Sequence, residues 1–400
     1  MRSLRPGSSR PTVVVAGALA QRPGIGGHAW VFRNWLAGFA AAGADVLFVD
    51  RLEPAMLDDP DALPETTVQW RWLAGVMAGA GMDGRYAVLF DGGRRCLGLD
   101  RADLERRARG AVLFNVMGYL DDETLLAAAA RRVFVDIDPG FPQLWRELGL
   151  HDAFAGHDAF VTVGQNVGRA GCTVPTGGIE WIPTLPPVDL AAWPIGAAPA
   201  GREAGRLTSI CTWRGPFGPV VHDGVTYGLR VHEFRRFAAL PGMVPGARFE
   251  LALDIDDDDA ADRALLAAQG WRLRDPRRVA GNPRAYQAYV AGSSAEFLVA
   301  KQLYVRTGGG WVSDRSACYL ASGRPVIAQD TGLAGGHPLA ESIGGGEGFV
   351  TFTTPGEAAA AVAEVLGNPA RHAKAARELA VDCFDAAKVA RSLLHRLGVA

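Results

Sequence analysis

The residues predict an α/β protein built as two successive units, each a largely parallel sheet covered by helices. Three observations predict it. Short β-branched runs alternate with helical periodicities along the chain. Those runs are almost continuously apolar, as suits strands covered on both faces. A stretch rich in Pro, Ala and Gly over residues 183–205 divides the two series.

In the first unit, Thr12–Ala16 is a β-branched run between Pro11 and Gly17 and reads as a buried strand. The glycine-rich loop Gln21–His28 follows. Trp30, Phe32, Trp35, Leu36 and Phe39 then recur at helical spacing, and Gly43 stops that helix. Val46–Asp50 completes a strand, loop, helix, strand unit, the opening of a parallel sheet. Tyr86–Phe90, Ala111–Asn115, Arg132–Asp136 and Ala159–Val163 are further strands, the last closing this unit, and Thr124–Arg131 reads as helix. In the second unit the strands are Leu207–Thr212, Phe249–Leu253, Trp271–Arg274, Glu296–Ala300, Pro325–Ala328 and Phe349–Phe352. Its helices are His232–Leu240, Ala260–Gln269, Tyr286–Ala291, Pro355–Leu366 and one long helix, Ala370–His395. The expected divisions are a disordered tail 1–10, a first domain 11–190, a linker 191–206, a second domain 207–378 and a terminal helix 379–400.

Of the 400 residues, 48% are hydrophobic and 21% charged, with net charge -2, so no basic excess points to nucleic acid or an anionic membrane as the main partner. Cys96, Cys172, Cys211, Cys318 and Cys383 are odd in number and scattered. They read as reduced thiols of a cytoplasmic protein rather than a disulfide framework or zinc site. Arg2, Arg5 and Arg10 ahead of Val13–Ala20 imitate a secretory signal. The strand reading is preferred, because the run is short, broken by Gly17, and continues into a loop, a helix and a second strand. No stretch approaches the ~20 apolar residues of a membrane span. The acidic run Asp254–Asp259 lacks the spacing and central glycine of a calcium loop; it reads as carboxylates at a helix start.

The most informative segment is Gly308–Gly332, GGGWVSDRSACYLASGRPVIAQDTG. It reads as glycine-rich loop, helix, glycine stop and strand. Ser313 or Asp314 caps the helix Arg315–Ser322, and Gly323 ends it. Glycines ahead of a helix N-terminus let backbone N–H groups approach an anion, and the helix dipole favours phosphate there.

This block resembles the nucleotide-sugar-binding block of GT-B glycosyltransferases. The resemblance implies two Rossmann-like domains facing a central cleft, with a C-terminal helix crossing back to the N-terminal domain. It implies transfer of a hexosyl-type group from a nucleoside-diphosphate sugar to a hydroxyl acceptor, with no bound cofactor and no metal. Both substrates would be small molecules; UDP, dTDP and GDP stay open as the donor's nucleotide, as does the oligomeric state. Carried over by residue, Gly309, Gly310, Ser313 and Ser316 would hold the diphosphate, with Asp314 counted among the donor-binding residues at the same helix start. Gln329, Asp330 and Thr331 would face the donor sugar, Asp330 accepting from its hydroxyls. Arg214, at the end of Leu207–Thr212, and Arg230, before the next helix, are similar to the phosphate-binding Arg and Lys of the retaining branch. The insertion Pro216–Thr226 departs from the usual spacing between them. Lys301 is a further cation at the same sheet edge. Gly26 and Gly27 would let the backbone approach the ligand, and His28 would deprotonate the acceptor as in the inverting branch. The two sets of residues point to different stereochemical outcomes.

Asp136, Asp138, His157, Asp158, Gln165 and Asn166 follow strands and could line the cleft, although turn and capping roles suit them better. A nicotinamide-dependent oxidoreductase would use Asp50 on the ribose, but the first turn lacks GxGxxG in register. A sugar-nucleotide epimerase and a non-catalytic binding module share the expected fold.

Overall fold

The computed structural model describes residues 10–215, 217–334 and 346–399. The predicted tail therefore lies outside the described residues, except for Arg10. Two sheets form the framework. The first contains β1 (Thr12–Ala16), β2 (Asp45–Leu52), β3 (Tyr86–Phe90), β4 (Arg95–Gly98), β5 (Val112–Val116), β6 (Arg131–Asp136), β7 (Ala159–Thr162) and β8 (Trp181–Pro183). Its order is β4-β3-β2-β1-β5-β6-β7-β8, with only β4 antiparallel to its neighbour.

The second unit contains β9 (Arg206–Thr212), the hairpin β10 (Val220–His222) and β11 (Val225–Tyr227), β12 (Arg248–Asp254), β13 (Arg272–Arg274), β14 (Ala295–Leu298), β15 (Val326–Gln329) and β16 (Phe349–Phe352). Its sheet runs β13-β12-β9-β14-β15-β16, all parallel. In both sheets the first strand lies centrally and the order reverses beside it. Ligands of open α/β sheets bind outside the carboxyl ends at such a switch point. The segment after β1 carries His28, and the segment after β9 leads to Arg230.

Several elements correct the reading from sequence. β8 continues the first sheet beyond β7, so Ala159–Thr162 is not its last strand. β4 returns antiparallel from β3 through Asp91, Gly92 and Gly93, all in the left-handed region. The Asp-Gly-Gly run is the signal for that turn. The insertion between Arg214 and Arg230 contains the hairpin β10–β11. Helices Val68–Ala78, Arg101–Ala108 and Phe141–Glu147 were not predicted.

The long terminal helix is two helices, Pro369–Leu379 and Ala386–Arg396, separated by a wide turn over Ala380–Phe384. Asp385 caps the second, accepting from the N–H groups of Ala387 and Lys388 at 2.8 and 3.1 Å. The break redirects the chain. Val389, Ala390, Leu393 and Leu394 then bury themselves in the core of the first sheet. The outgoing linker and returning chain pair where they pass: Val188 N–H donates to Phe384 O at 2.8 Å, and Ala386 N–H to Val188 O at 3.0 Å. Gly38 permits this approach, since a Cβ there would stand 2.7 Å from Ala386 O. Among the described residues, no helix is long and apolar enough to cross a membrane.

Candidate functional site

A cleft of about 410 Å³ opens between the carboxyl ends of the two sheets. The first sheet's side supplies Gly24, Gly27, His28, Ile137 and Asp138; the second supplies Cys211, Thr212, Arg230, Lys301, Tyr304, Ser313, Asp314 and Arg315. Three of these are cations from three separate segments, each held differently.

Arg230 opens the helix Arg230–Phe234 directly after the hairpin. Its side chain lies beneath the sheet edge, donating from Nε to Val299 O at 3.0 Å and from Nη1 to Thr212 O at 2.9 Å. It is 6% exposed, and burial holds its pKa below the ordinary guanidinium value. Lys301 follows β14, and its Nζ donates to Asp138 Oδ2 at 2.7 Å. Burial lowers its pKa and Asp138 opposes that shift. Arg315 lies on the first turn of the helix Asp314–Ala321. It donates from Nε to Glu296 Oε1 and from Nη1 to Ile210 O, both at 2.5 Å. Burial pushes its pKa down, but the surrounding groups, Glu296 foremost, together raise it above the usual value. Its Nη2 is buried without a partner. A buried donor without an acceptor is costly.

Two groups at the same cleft are less polar than their residue types suggest. Burial raises the pKa of Asp314. Burial, helped by Arg22, lowers that of His28 from 6.5 to about 4. His28 Nε2 lies 3.1 Å from Ala18 O, a carbonyl that can only accept, so Nε2 carries the proton and Nδ1 the lone pair. At neutral pH the ring is an uncharged hydrogen-bond acceptor and a weak base, poorly matched to the pKa near operating pH that general-base catalysis favours.

The shift also has a stability consequence. Between pH 6.5 and about 4 the unfolded chain protonates His28 and the folded one does not, so this contribution is complete above 6.5 and is lost as pH falls. The stability difference between wild type and His28→Gln is expected to move against wild type by about 2 kcal/mol from pH 7 to pH 5. Urea unfolding at both values measures it; a pH-independent difference would refute the assignment. Asp50 and Asp136, raised by burial to about 7 and about 6, have the opposite dependence and cancel in the comparison.

The structure brings Gly27, His28, Arg230, Lys301, Ser313 and Asp314 together at the cleft. The remaining predicted residues do not line this cleft, and each has partners elsewhere. Gly26 packs against the second unit, where a Cβ would meet Asn282 O at 2.4 Å and Ala280 O at 2.5 Å. Arg214 is 41% exposed and donates through two nitrogens to Asp259, so its charge is already matched. The Gly309 and Gly310 carbonyls accept from the N–H groups of Asn166 and Gln165, while Gly310 N–H donates to Thr331 O. Those carbonyl bonds join that loop to the first unit, and of the two glycine amides the Gly310 N–H is engaged. Ser316 donates to Glu296 at 2.6 Å, Gln329 to Glu233 at 2.7 Å and Thr331 to Trp311 O at 2.9 Å. Asp330 caps the turn after β15, its Oδ1 accepting from Gly332, Leu333 and Ala334. Most of these groups match a neighbour because they are buried or at an interface, and spacing alone does not reveal such neighbours.

Among the secondary candidates, Asp138 reaches the cleft while Asp136 is spent on Gln143 and Thr162, both at 2.8 Å. Asn166 bonds across the interface to Gly308 O and Gly332 O. Gln165 donates to Val163 O and Thr184 O, His157 packs by Asn115, and Asp158 pairs with Arg132. Asp50 is buried and accepts from Ala20 N–H, Gln21 and Arg51 N–H, so its carboxylate holds the loop after β1 rather than facing a ribose. Arg315, Glu296 and Tyr304 were missed. Arg315 lay in plain view, one residue past the predicted cap, and Tyr304 lies one helical turn beyond Lys301. Among the described residues, no group of three His, Cys, Asp or Glu is placed to hold a metal ion.

No family model matches the chain, and no curated protein matches it in sequence. Solved structures do match over nearly the full length. An alpha-glucosyltransferase in complex with UDP and a 13-mer DNA containing an HMU base is 10% identical, covering 97% of this chain and 99% of its own, at a TM-score of 0.60. Sucrose-phosphate synthase from Thermosynechococcus elongatus is 13% identical, covering 97% and 99%, at 0.53. HepE of Anabaena, in complex with UDP and glucose, is 11% identical, covering 98% and 100%, at 0.54. Two parallel sheets, a cleft between their carboxyl ends, a terminal helix returning to the first unit and these full-length matches establish that the chain has the fold of the GT-B glycosyltransferase superfamily.

Proposed function

We propose that the chain transfers a glycosyl group from a nucleoside-diphosphate sugar to a hydroxyl acceptor. The convergence of Arg230, Lys301 and Arg315 on one cleft carries this reading. A departing diphosphate develops charge, and fixed cations in a partly dry cleft stabilise it without reorganising. Arg230 retains Nη2 beyond its two backbone acceptors, and Arg315 retains a partnerless Nη2. These replace the glycine amides and Arg214 as the groups expected to meet phosphate. Asp330 stays, directly after β15, as the proposed acceptor from the donor sugar's hydroxyls.

His28, uncharged and weakly basic, suits positioning of the acceptor hydroxyl through Nδ1. The leaving phosphate oxygen then takes the acceptor's proton, which favours the retaining outcome. The proposed acceptor is a small molecule. The 410 Å³ cleft fits substrates of that size.

Thermal unfolding with UDP, dTDP, GDP and NAD tests the reading. A ligand at ~100 times its Kd adds about 2.7 kcal/mol. One nucleoside diphosphate is expected to give that shift in wild type, and Arg230→Gln is expected to lose most of it. A shift with NAD alone would instead identify an oxidoreductase. Incubation with the matching nucleotide sugar, followed by product analysis, separates transfer from epimerisation and from simple binding.

A further inference from the structure

One ion pair spans the cleft. Asp138, from the loop after β6, meets Lys301 at 2.7 Å and also accepts from the hydroxyl of Tyr304. Its carboxylate makes no bond inside its own loop. That loop is held by other groups: Asp138 N–H donates to Asp136 Oδ1 at 2.9 Å and Gly140 N–H to Gln143 at 2.7 Å. On the other side, Lys301 has Asp138 as its one carboxylate partner among the described residues, and otherwise faces the rings of Phe141 at 4.8 Å and Tyr304 at 5.2 Å. Asp138, Lys301 and Arg230 line the same cavity. An anion thus already occupies Lys301, and it comes from the opposite unit.

We propose that Asp138 is a built-in competitor of the donor: its carboxylate occupies, on Lys301, the place a donor phosphate takes. Donor binding then passes Lys301 from Asp138 to phosphate and frees the carboxylate to face the acceptor side. This rests on the donor reading above and adds an order to it, donor before acceptor. The exchange is favourable because a phosphate oxygen offers the ammonium an equivalent charge-assisted bond, while a diphosphate also reaches Arg230 and Arg315. A carboxylate that merely braced Lys301 would have the opposite effect, since its removal would loosen the cation.

Calorimetric titration of wild type, Asp138→Asn and Tyr304→Phe with UDP, GDP and dTDP tests the exchange, with the free nucleosides as phosphate-free controls. Asp138→Asn is expected to tighten the diphosphate that binds by about tenfold, the size of a modest charge-pair coupling. Tyr304→Phe keeps the ring that stacks on Trp311 at 4.3 Å and removes one of the two donors that hold the Asp138 carboxylate across the cleft, so the carboxylate is displaced more easily and binding should tighten by about threefold. Nucleoside binding should not change. If wild type binds a diphosphate and both variants bind it equally or more weakly, Asp138 is a fixed brace and the exchange is wrong. If none of the three proteins binds any diphosphate, the donor reading falls and the exchange with it. Should Asp138→Asn fail to fold, Tyr304→Phe alone decides by the sign of its effect.

Discussion

Glu296→Ala is expected to destabilise the fold by about 3–5 kcal/mol, the range for removing one partner of a buried ion pair. Glu296 is 0% exposed, on β14, at the middle of the second sheet. Both its oxygens are used, Oε1 by Arg315 at 2.5 Å and Oε2 by Ser316 at 2.6 Å. Alanine would leave a guanidinium that is 11% exposed without its counter-charge, and Ser316 without its acceptor. The desolvation penalty of Arg315 would then stand uncompensated. Urea unfolding measures the effect. Replacing both partners, Glu296→Leu with Arg315→Leu, should recover part of the loss while removing a cation from the cleft. A cost below about 1 kcal/mol for the single variant would mean that water reaches Arg315 and that the pair is not desolvated.

Trp193→Ala is expected to cost a similar amount, about 3–5 kcal/mol, and to divide unfolding into two steps. Trp193 lies in the linker yet is 0% exposed. Its ring stands 4.7 Å from that of Trp30, on the helix Gly26–Ala41 of the first unit, and 6.1 Å from that of Tyr286 in the second. Its carbonyl accepts from Arg377 at 2.8 Å. One side chain therefore packs against both units at once. Truncation would leave a cavity between Trp30 and Tyr286 and weaken the contact that makes the units unfold together. Calorimetry should show one transition in wild type and two in the variant. A single transition with little loss would place the coupling elsewhere, in the backbone pairing of Gln165 and Asn166 with Gly309 and Gly310.

The sequence by itself determined the α/β class and most strands, because strand burial on both faces leaves a nearly continuous apolar run that needs no partner to be seen. It also singled out Arg230, Lys301, Ser313 and His28, each next to a recognisable strand end or helix start, and the structure places all four around one cleft. Elements set by local geometry against neighbours were hidden: β4 depends on a left-handed Asp-Gly-Gly turn, and the split of Ala370–His395 depends on pairing with Val188. Tertiary structure alone decided what each polar group does. Arg214 has the strand-end position of a phosphate ligand, yet Asp259 already matches its charge; Gly309 and Gly310 form a flexible-looking loop, yet their backbone is bonded to the opposite unit. Asp138 and Lys301 are 163 residues apart and meet across the cleft. Periodicity reports which face of an element is buried. Whether a charge is free or matched depends on groups brought near by the packing of two sheets, and no spacing along the chain encodes that distance.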